Sequence, residues 1–384
     1  MKTMVSNMTH VCLGDVAREI KQKVPAGQEL PTVGLEHLDP GEVELAHWDE
    51  GAETTFTKAF SRGQVLFGRR RAYLRKAAVA PFDGICSGDI TVIAPKDNLS
   101  PRLLPFIIQN DALFEHAVTN SAGSLSPRVK WQSLSQFEFE LPSIAKQEDL
   151  ADILWTAQET RSHYRQLLTA CDDVVKSQFV EMFGDLRFEN KLMPIRALNE
   201  VASSRLGKML DSKHQTGEWR RPYLTNRNVQ WFRFDFQEVN SMDFPPADQK
   251  EFSLLPGDLL VCEGGEVGRC AIWRGQMKDC YFQKALHRVR CGNAIIPEYL
   301  CWWFKMMADE GLLTRHANTA TIAHLSGVQL KQLGVLVPPL SLQQEFADFA
   351  ASVDKSKFAV QKALDELNAT TKKILNQELG LGDV

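Results

Sequence analysis

The sequence predicts an α+β chain in which two similar globular blocks alternate with two long helices. These helices are expected to pair as an antiparallel coiled coil, giving a pseudo-two-fold internal repeat. Three observations predict it. First, residues 146–183 hold no proline or glycine, and Leu150, Ile153, Ala157, Thr160, Tyr164, Leu167, Cys171 and Val174 recur at alternating steps of three and four. That is the narrow apolar seam of a helix that needs a partner helix. About 38 residues at ~1.5 Å each make a rod on the order of 55 Å long. Second, the pattern returns near the end of the chain. Phe346, Phe349, Val353, Ser356, Val360, Ala363, Leu367 and Thr370 each lie 196 positions after their counterparts, and Ile374 continues the series. Third, the segments before the two rods run through the same order of elements.

In the first block, LGDVAREI reads as a short helical turn, and PTVGLEHL, GQVLFG, KAAVAPF and GDITVIAP read as strands and turns. SPRLLPFIIQNDALFEHAV is a helical piece, TNSAGSLSPRVKWQSL a polar loop, and FEFELP the approach to the rod. The second block repeats this with MPIRALNEVA, RPYLTNRNV, PGDLLVCEGGEVGRCAIW, PEYLCWWFKMMADEGLL, HANTATIAHLSGVQL and GVLVPP. Ser341 and Gln344 have capping-box spacing and mark the start of the second rod. A shift of 196 pairs Pro101 with Pro297, Leu104 with Leu300 and Pro142 with Pro338. A shift of 194 pairs Gly63, Leu66, Arg75 and Ala77 with Gly257, Leu260, Arg269 and Ala271. A repeat of this size means two copies of a domain. The expected boundaries are 1–143, a helix over 144–184, 185–339, and a helix over 340–380.

A chain of 384 residues with 44% hydrophobic and 24% charged residues is that of an ordinary globular protein of two or three domains. No apolar run approaches the ~18 residues of a membrane span and the start has no signal-peptide core, so the expected place is the cytoplasm, away from membranes. Eight cysteines without CxxC spacing or a matching His pair suggest reduced thiols and no metal site. The net charge of −4 does not announce a nucleic-acid binder, but acids concentrate on the rods and leave other stretches bare.

Those bare stretches carry the candidate chemistry. From Thr54 to Phe82 there are seven basic residues and no acid, including Arg69, Arg70, Arg71, Arg75 and Lys76, with Tyr73 among them. Guanidinium forks there suit phosphate oxygens or the O6/N7 edge of guanine, although a solvated strand edge would look the same. The equivalent point of the second block holds Glu263, Gly264, Gly265, Glu266 and Arg269, which suit either a plain hairpin or contacts to cytosine N4. Lys284, His287 and Arg288 on the next strand, and Thr225, Asn226 and Arg227 after RPYL, are further candidate donors and acceptors. The polar loops add Ser124, Ser126, Arg128 and Lys130 in one block and Thr319, Thr321 and His324 in the other. Hydroxyls mixed with basic groups suit backbone and base-edge contacts, and also an ordinary solvated loop. No catalytic residue is assigned, because the sequence has no phosphate loop, no methyltransferase or G-x-S-x-G motif, and no metal-spaced cluster. Asp185, Glu189 and Lys191 only loosely imitate a nuclease centre. For helix pairing the residues expected in contact are Leu150, Ile153, Ala157, Tyr164, Leu167, Phe346, Phe349, Val353, Val360 and Leu367.

The block–rod–block–rod order, with LFGRRRAYLRKAAVAPFDGICSGD, GDLLVCEGGEVGRCAIW and FQKALHRV in the blocks, resembles the specificity subunit of type I restriction–modification enzymes. The (V/L)P followed by QE(D/F) at each rod start and EMFGD after the first rod fit as well, and the resemblance covers essentially the whole chain. It implies that each block is a target-recognition domain reading half of a split, asymmetric site on double-stranded DNA. The rods would then set the spacing between halves and dock two modification (methyltransferase) subunits. It also implies that S-adenosylmethionine and catalysis reside in those subunits, ATP and Mg in restriction (translocase) subunits, and no cofactor or catalysis in this chain. The alternatives are the recognition subunit of a related methylating nuclease outside type I, or a coiled-coil scaffold that binds protein only. Sequence-dependent DNA binding separates the last from the others.

Overall fold

A computed structural model describes residues 8–382, apart from 26, 28, 52–53, 189–192, 212–214 and 316–323. The chain divides into two compact units, residues 1–167 with 360–384, and residues 168–359. Each unit therefore contains an end of each long helix, Ile144–Phe183 and Leu340–Glu378. Among the described residues no helix is long and apolar enough to cross a membrane.

In the first unit a four-stranded antiparallel sheet runs in the order Ala17–Ile20, Ile90–Pro95, Val65–Gly68, Ala77–Val79. A three-stranded sheet is built from Thr32–Val33, Gly84–Cys86 and Lys58–Phe60, its first pair parallel. The central strand VLFG is buried throughout because successive side chains leave opposite faces of a sheet covered on both sides. Val65 and Phe67 enter the cluster formed by Leu104, Ile107, Leu113 and Phe114, while Leu66 enters the one formed by Val33, Phe60 and Val92. Helices Leu104–Ile108 and Asp111–Thr119 cover the first face.

The second unit builds the same sheet from Ala202–Leu206, Leu286–Cys291, Leu259–Cys262 and Cys270–Ile272, in the same spatial order. Leu259 and Val261 face the cluster containing Tyr299, Trp303 and Phe346, and Leu260 and Cys262 face the cluster containing Phe244 and Phe282. The smaller sheets differ. In the first unit Gly84–Cys86 is central, whereas in the second it is Arg220–Leu224, flanked by Asn240–Asp243 and Tyr281–Phe282.

The equivalence of the units extends to single hydrogen bonds. In each, a buried glutamine in the first turn of a long helix fastens that helix to its block. The amide of Gln147 accepts from Ser100 N at 2.8 Å and donates to the carbonyls of Asn98 and Pro142. Gln343, 196 positions later, accepts from Ile296 N at 2.9 Å and donates to Ala294 and Pro338, each again displaced by 196. Both helices then end on a glycine in the left-handed region, Gly184 (φ 83) and Gly380 (φ 62), which a residue with a Cβ rarely adopts. The second helix begins at Leu340, and the Gln344 amide donates to Asp348. The expected Ser341–Gln344 capping box is therefore absent: both residues lie inside the first turns.

Within the second unit the helices run antiparallel. The Asp172–Lys357 ion pair lies on one side and Phe179 and Phe183 pack on Phe346, with ring centroids 5.4 and 5.5 Å apart, on the other. In the first unit Leu150, Ala151 and Leu154 share a cluster with Leu375 and Leu379. The seam is displaced from the one read in the sequence. Leu150, Ala157, Phe346, Val353, Val360 and Leu367 lie on it, and Tyr164 is half-buried. Ile153 is 52% exposed and Leu167 46% exposed, while their neighbours Leu154 and Leu168 turn inward. Phe349 is half-buried and Ala350 takes the buried place. The step after each correct position is four residues, not three, because Arg161 and Lys357 occupy seam positions and break the apolar signal.

This reassignment predicts that Leu154→Glu costs the protein on the order of 3 kcal/mol or more, since it buries a charge, whereas Ile153→Glu stays within about 0.5 kcal/mol. Urea unfolding of the two variants checks it, and equal losses would restore the original seam.

Candidate nucleic-acid interface

In the first unit the strand Val65–Gly68 delivers Arg69, Arg70 and Arg71 to its end, and the polar loop is clasped against them. Val129 N donates to Arg69 O at 3.0 Å, Arg71 N donates to Pro127 O at 2.8 Å, and Arg70 and Arg128 form an antiparallel bridge. The loop closes on itself by paired bonds between Ala122 and Arg128, which leaves Ser124 and Leu125 at its apex, Leu125 91% exposed.

Side chains lock the clasp. Arg128 Nε and Nη2 donate to the two carboxylate oxygens of Asp89 at 2.7 and 3.2 Å. Arg70 Nη1 reaches Asp89 Oδ2 at 3.4 Å, and its Nη2 and Nε donate to Ser126 Oγ at 3.1 and 3.3 Å. The hydrogen bond from Arg128, with help from Arg70, holds the Asp89 carboxyl below its ordinary range against the opposing effect of burial, so it stays ionised. Arg71 is exposed with φ 54, a left-handed conformation uncommon outside glycine, and Tyr73 beside it is 54% exposed. Arg71 and Lys130 make no ion pair among the described residues, so their charges face solvent. Arg75 and Lys76 are already occupied: Arg75 pairs with Asp111, and Lys76 Nζ donates to Leu35 O at 2.8 Å.

The second unit repeats the clasp with other side chains. Leu325 N donates to Glu263 O at 2.7 Å, and Gly264 bridges His324, each pairing displaced by 194 and 196 from its counterpart in the first unit. The approach at 264 is close, since a Cβ there would sit 2.7 Å from His324 Nδ1 and the ring would have to shift. Gly265, at φ 80, and Glu266 form the exposed turn. Arg269 turns inward: it pairs with Glu266 at 3.1 Å and donates to Asn226 O at 2.9 Å, and Glu266 also accepts from Trp231. This fixes the turn against the Thr225–Asn228 turn, which the Asn228 side chain closes by accepting from Thr225 N at 2.9 Å. Arg227 and Lys284 are exposed and make no ion pair among the described residues. Thr319 and Thr321 lie outside the described residues, as do Glu189 and Lys191.

Two expected contacts prove to be internal. Arg288 donates to the carbonyls of Glu251 and Ser253, at 3.0 and 2.7 Å, and lies over the Phe282 ring. His287 is buried, with Nε2 3.0 Å from Leu325 O, and so holds the polar loop to the sheet. Burial pushes its imidazole below the ordinary value of 6.5, against the raising effects of the Leu325 carbonyl and Glu263, with Lys331 lowering it further.

Sequence scanning for acid-free stretches missed Asp89, which lies just past the first stretch, and missed Trp231 and Asn228, which organise the second turn. The only sequence signal at Asp89 was its place after a strand, in SGD.

His287 yields a pH prediction. Its folded form is depressed, so the unfolded chain takes up the proton first, and stability present above about pH 6.5 is lost as pH falls. Thermal unfolding between pH 7.5 and 5 should show a fall that His287→Gln reduces; an unchanged slope would remove His287 as its source.

Comparison with known proteins adds the family. Residues 190–369 match the model of the type I restriction modification DNA specificity domain. A curated relative, the Type I restriction enzyme EcoDI specificity subunit of Escherichia coli, is 23% identical over 146 residues, which are 35% of this chain and 32% of that protein. The match thus spans about a third of the relative's length. Among solved structures, one described as the structural basis of complex assembly and conformational transition of the type I R-M system superposes with TM-score 0.63 at 17% identity, covering 97% of each chain. The type I restriction-modification S subunit from M. genitalium superposes with TM-score 0.57 at 12% identity, over 100% of this chain and 98% of that one. Residues 190–369 are therefore similar to the type I restriction modification DNA specificity domain, and the fold of the chain as a whole is similar to that of a type I S subunit.

Proposed function

We propose that this chain recognises DNA sequence as the specificity subunit of a type I restriction–modification complex. Each unit is a target-recognition domain, and the two together read the halves of a split, asymmetric site. The long helices set the spacing and dock modification subunits, two of them by the pseudo-symmetry of the chain, with restriction subunits joining the assembly. Catalysis, S-adenosylmethionine, ATP and Mg belong in this reading to the partner subunits, and the complex works in the cytoplasm.

The observation that carries it is the clasp built twice. In each unit a polar loop is bonded to the end of a central strand beside exposed cations, while the residues at that strand end differ: Arg69, Arg70 and Arg71 in one, Glu263, Gly264 and Gly265 in the other. A fixed backbone frame with variable polar tips is what reading two different base sequences requires, since base edges are distinguished by donor and acceptor pattern. Outward cations such as Arg71, Lys130, Arg227 and Lys284 suit phosphate contacts, which position without specifying.

The test is DNA binding by the full chain. Arg71→Ala with Lys130→Ala should weaken binding of a fluorescein-labelled random duplex and reduce the steepness of its salt dependence by about two in log–log slope. Fluorescence anisotropy over a salt series measures both. Unchanged affinity and slope would take this surface out of the interface.

A further inference from the structure

We propose that Asp89 is a positioning residue for sequence discrimination in the first unit, aiming the guanidinium groups of Arg70 and Arg128 at base edges. The inference rests on the reading of that unit as a DNA reader and adds to it a residue of the wrong charge for DNA contact. An acid in the middle of a cationic surface opposes phosphate binding by simple Coulomb repulsion. Its presence calls for a compensating task, and the geometry supplies one.

Arg128 turns its Nε and Nη2 edge to both oxygens of Asp89. A guanidinium has five N–H donors in a rigid plane, so this bidentate grip leaves the Nη1 hydrogens and one on Nη2 at the far end. That end is a fork suited to guanine O6 and N7. Arg70 is held at three nitrogens by Asp89 and Ser126, with donors again left over. Asp89 therefore joins two segments distant in sequence, the strand end and the polar loop, and restrains both long side chains in one arrangement. Immobilising an arginine at an interface costs side-chain entropy, and this restraint meets that cost before DNA arrives. Asp89 itself is largely shielded, its side chain 22% exposed, while Arg70 and Arg128 are about twice as open, at 39% and 42%.

The two roles open to a half-buried acid here make opposite predictions. If Asp89 positions the forks, Asp89→Asn removes a negative charge from a basic surface and keeps or strengthens attraction to DNA of any sequence, yet loses discrimination. If Asp89 only stabilises the fold, discrimination and general binding fall together with the melting temperature.

The experiment selects bound duplexes from a random-sequence pool with the full chain in the presence of its modification subunits, and sequences them. Affinity for poly(dI-dC) and thermal unfolding are measured alongside. For Asp89→Asn the expected result is a drop of about tenfold or more in enrichment at one half of the selected site. The other half should be untouched, with poly(dI-dC) affinity equal or higher and Asp89→Glu partly restoring enrichment. Unaltered enrichment would overturn the role, and so would parallel losses of enrichment, general affinity and melting temperature. If the unmodified chain enriched no sequence at all, the reading of the unit as a DNA reader would fall, and the role of Asp89 with it.

Discussion

A helix of 40 residues with one apolar stripe cannot cover that stripe by itself. Its hydrogen bonds are satisfied internally, but its stripe must be covered by something of matching length. The second long helix, of 39 residues, supplies part of the cover, and the blocks supply the rest. In the first unit Leu150 and Leu154 join the cluster of Leu104, Phe114 and Phe139; in the second Phe179 and Phe183 join that of Tyr299, Trp303 and Phe346. Each helix end is thus part of a block's core and not an appendage to it. The buried amides of Gln147 and Gln343 make the same point in polar terms, since each bonds three backbone groups of its block or of the approach to its helix. Losing such an amide strands buried donors and acceptors at about 1–3 kcal/mol each.

That fusion of rod and block anchors the candidate surface. The strands Val65–Gly68 and Leu259–Cys262 are buried on both faces, so the residues that follow them are anchored by the core. Backbone bonds to the strand ends tie down the polar loop of the first unit and His324 and Leu325 of the second. Side chains then differ by unit. The first uses an acid to spread two arginines, and the second uses Glu266 to fold one arginine inward against Asn226. One frame has been given two kinds of tip.

Much of this was legible in the chain. The 196-residue repeat, the long helices and the acid-free stretches come from spacing and composition, which reflect burial and charge directly. The seam was misplaced by one residue at every second position because Ile153 and Leu154, or Phe349 and Ala350, satisfy an apolar pattern equally well. The side chains that decide between the two registers, Arg161 and Lys357, are charged. At the candidate site the basic cluster was found but not its division of labour. Arg75, Lys76 and Arg288 look in sequence like Arg71 and Lys130, yet their donors are used by Asp111, Leu35, Glu251 and Ser253, all remote in the chain. Asp89 was passed over for the opposite reason: a search for surfaces that attract phosphate discards acids, and the acid here acts on the arginines.

The central proposal is that one frame is used twice, so that two readers would address a single duplex. Mapping methylated bases in the genome, with and without the gene for this chain, tests it most directly. The account predicts a motif of two defined segments separated by a constant gap of unspecified bases, lost in full when the gene is removed. A continuous motif, or methylation unchanged by the deletion, would contradict it.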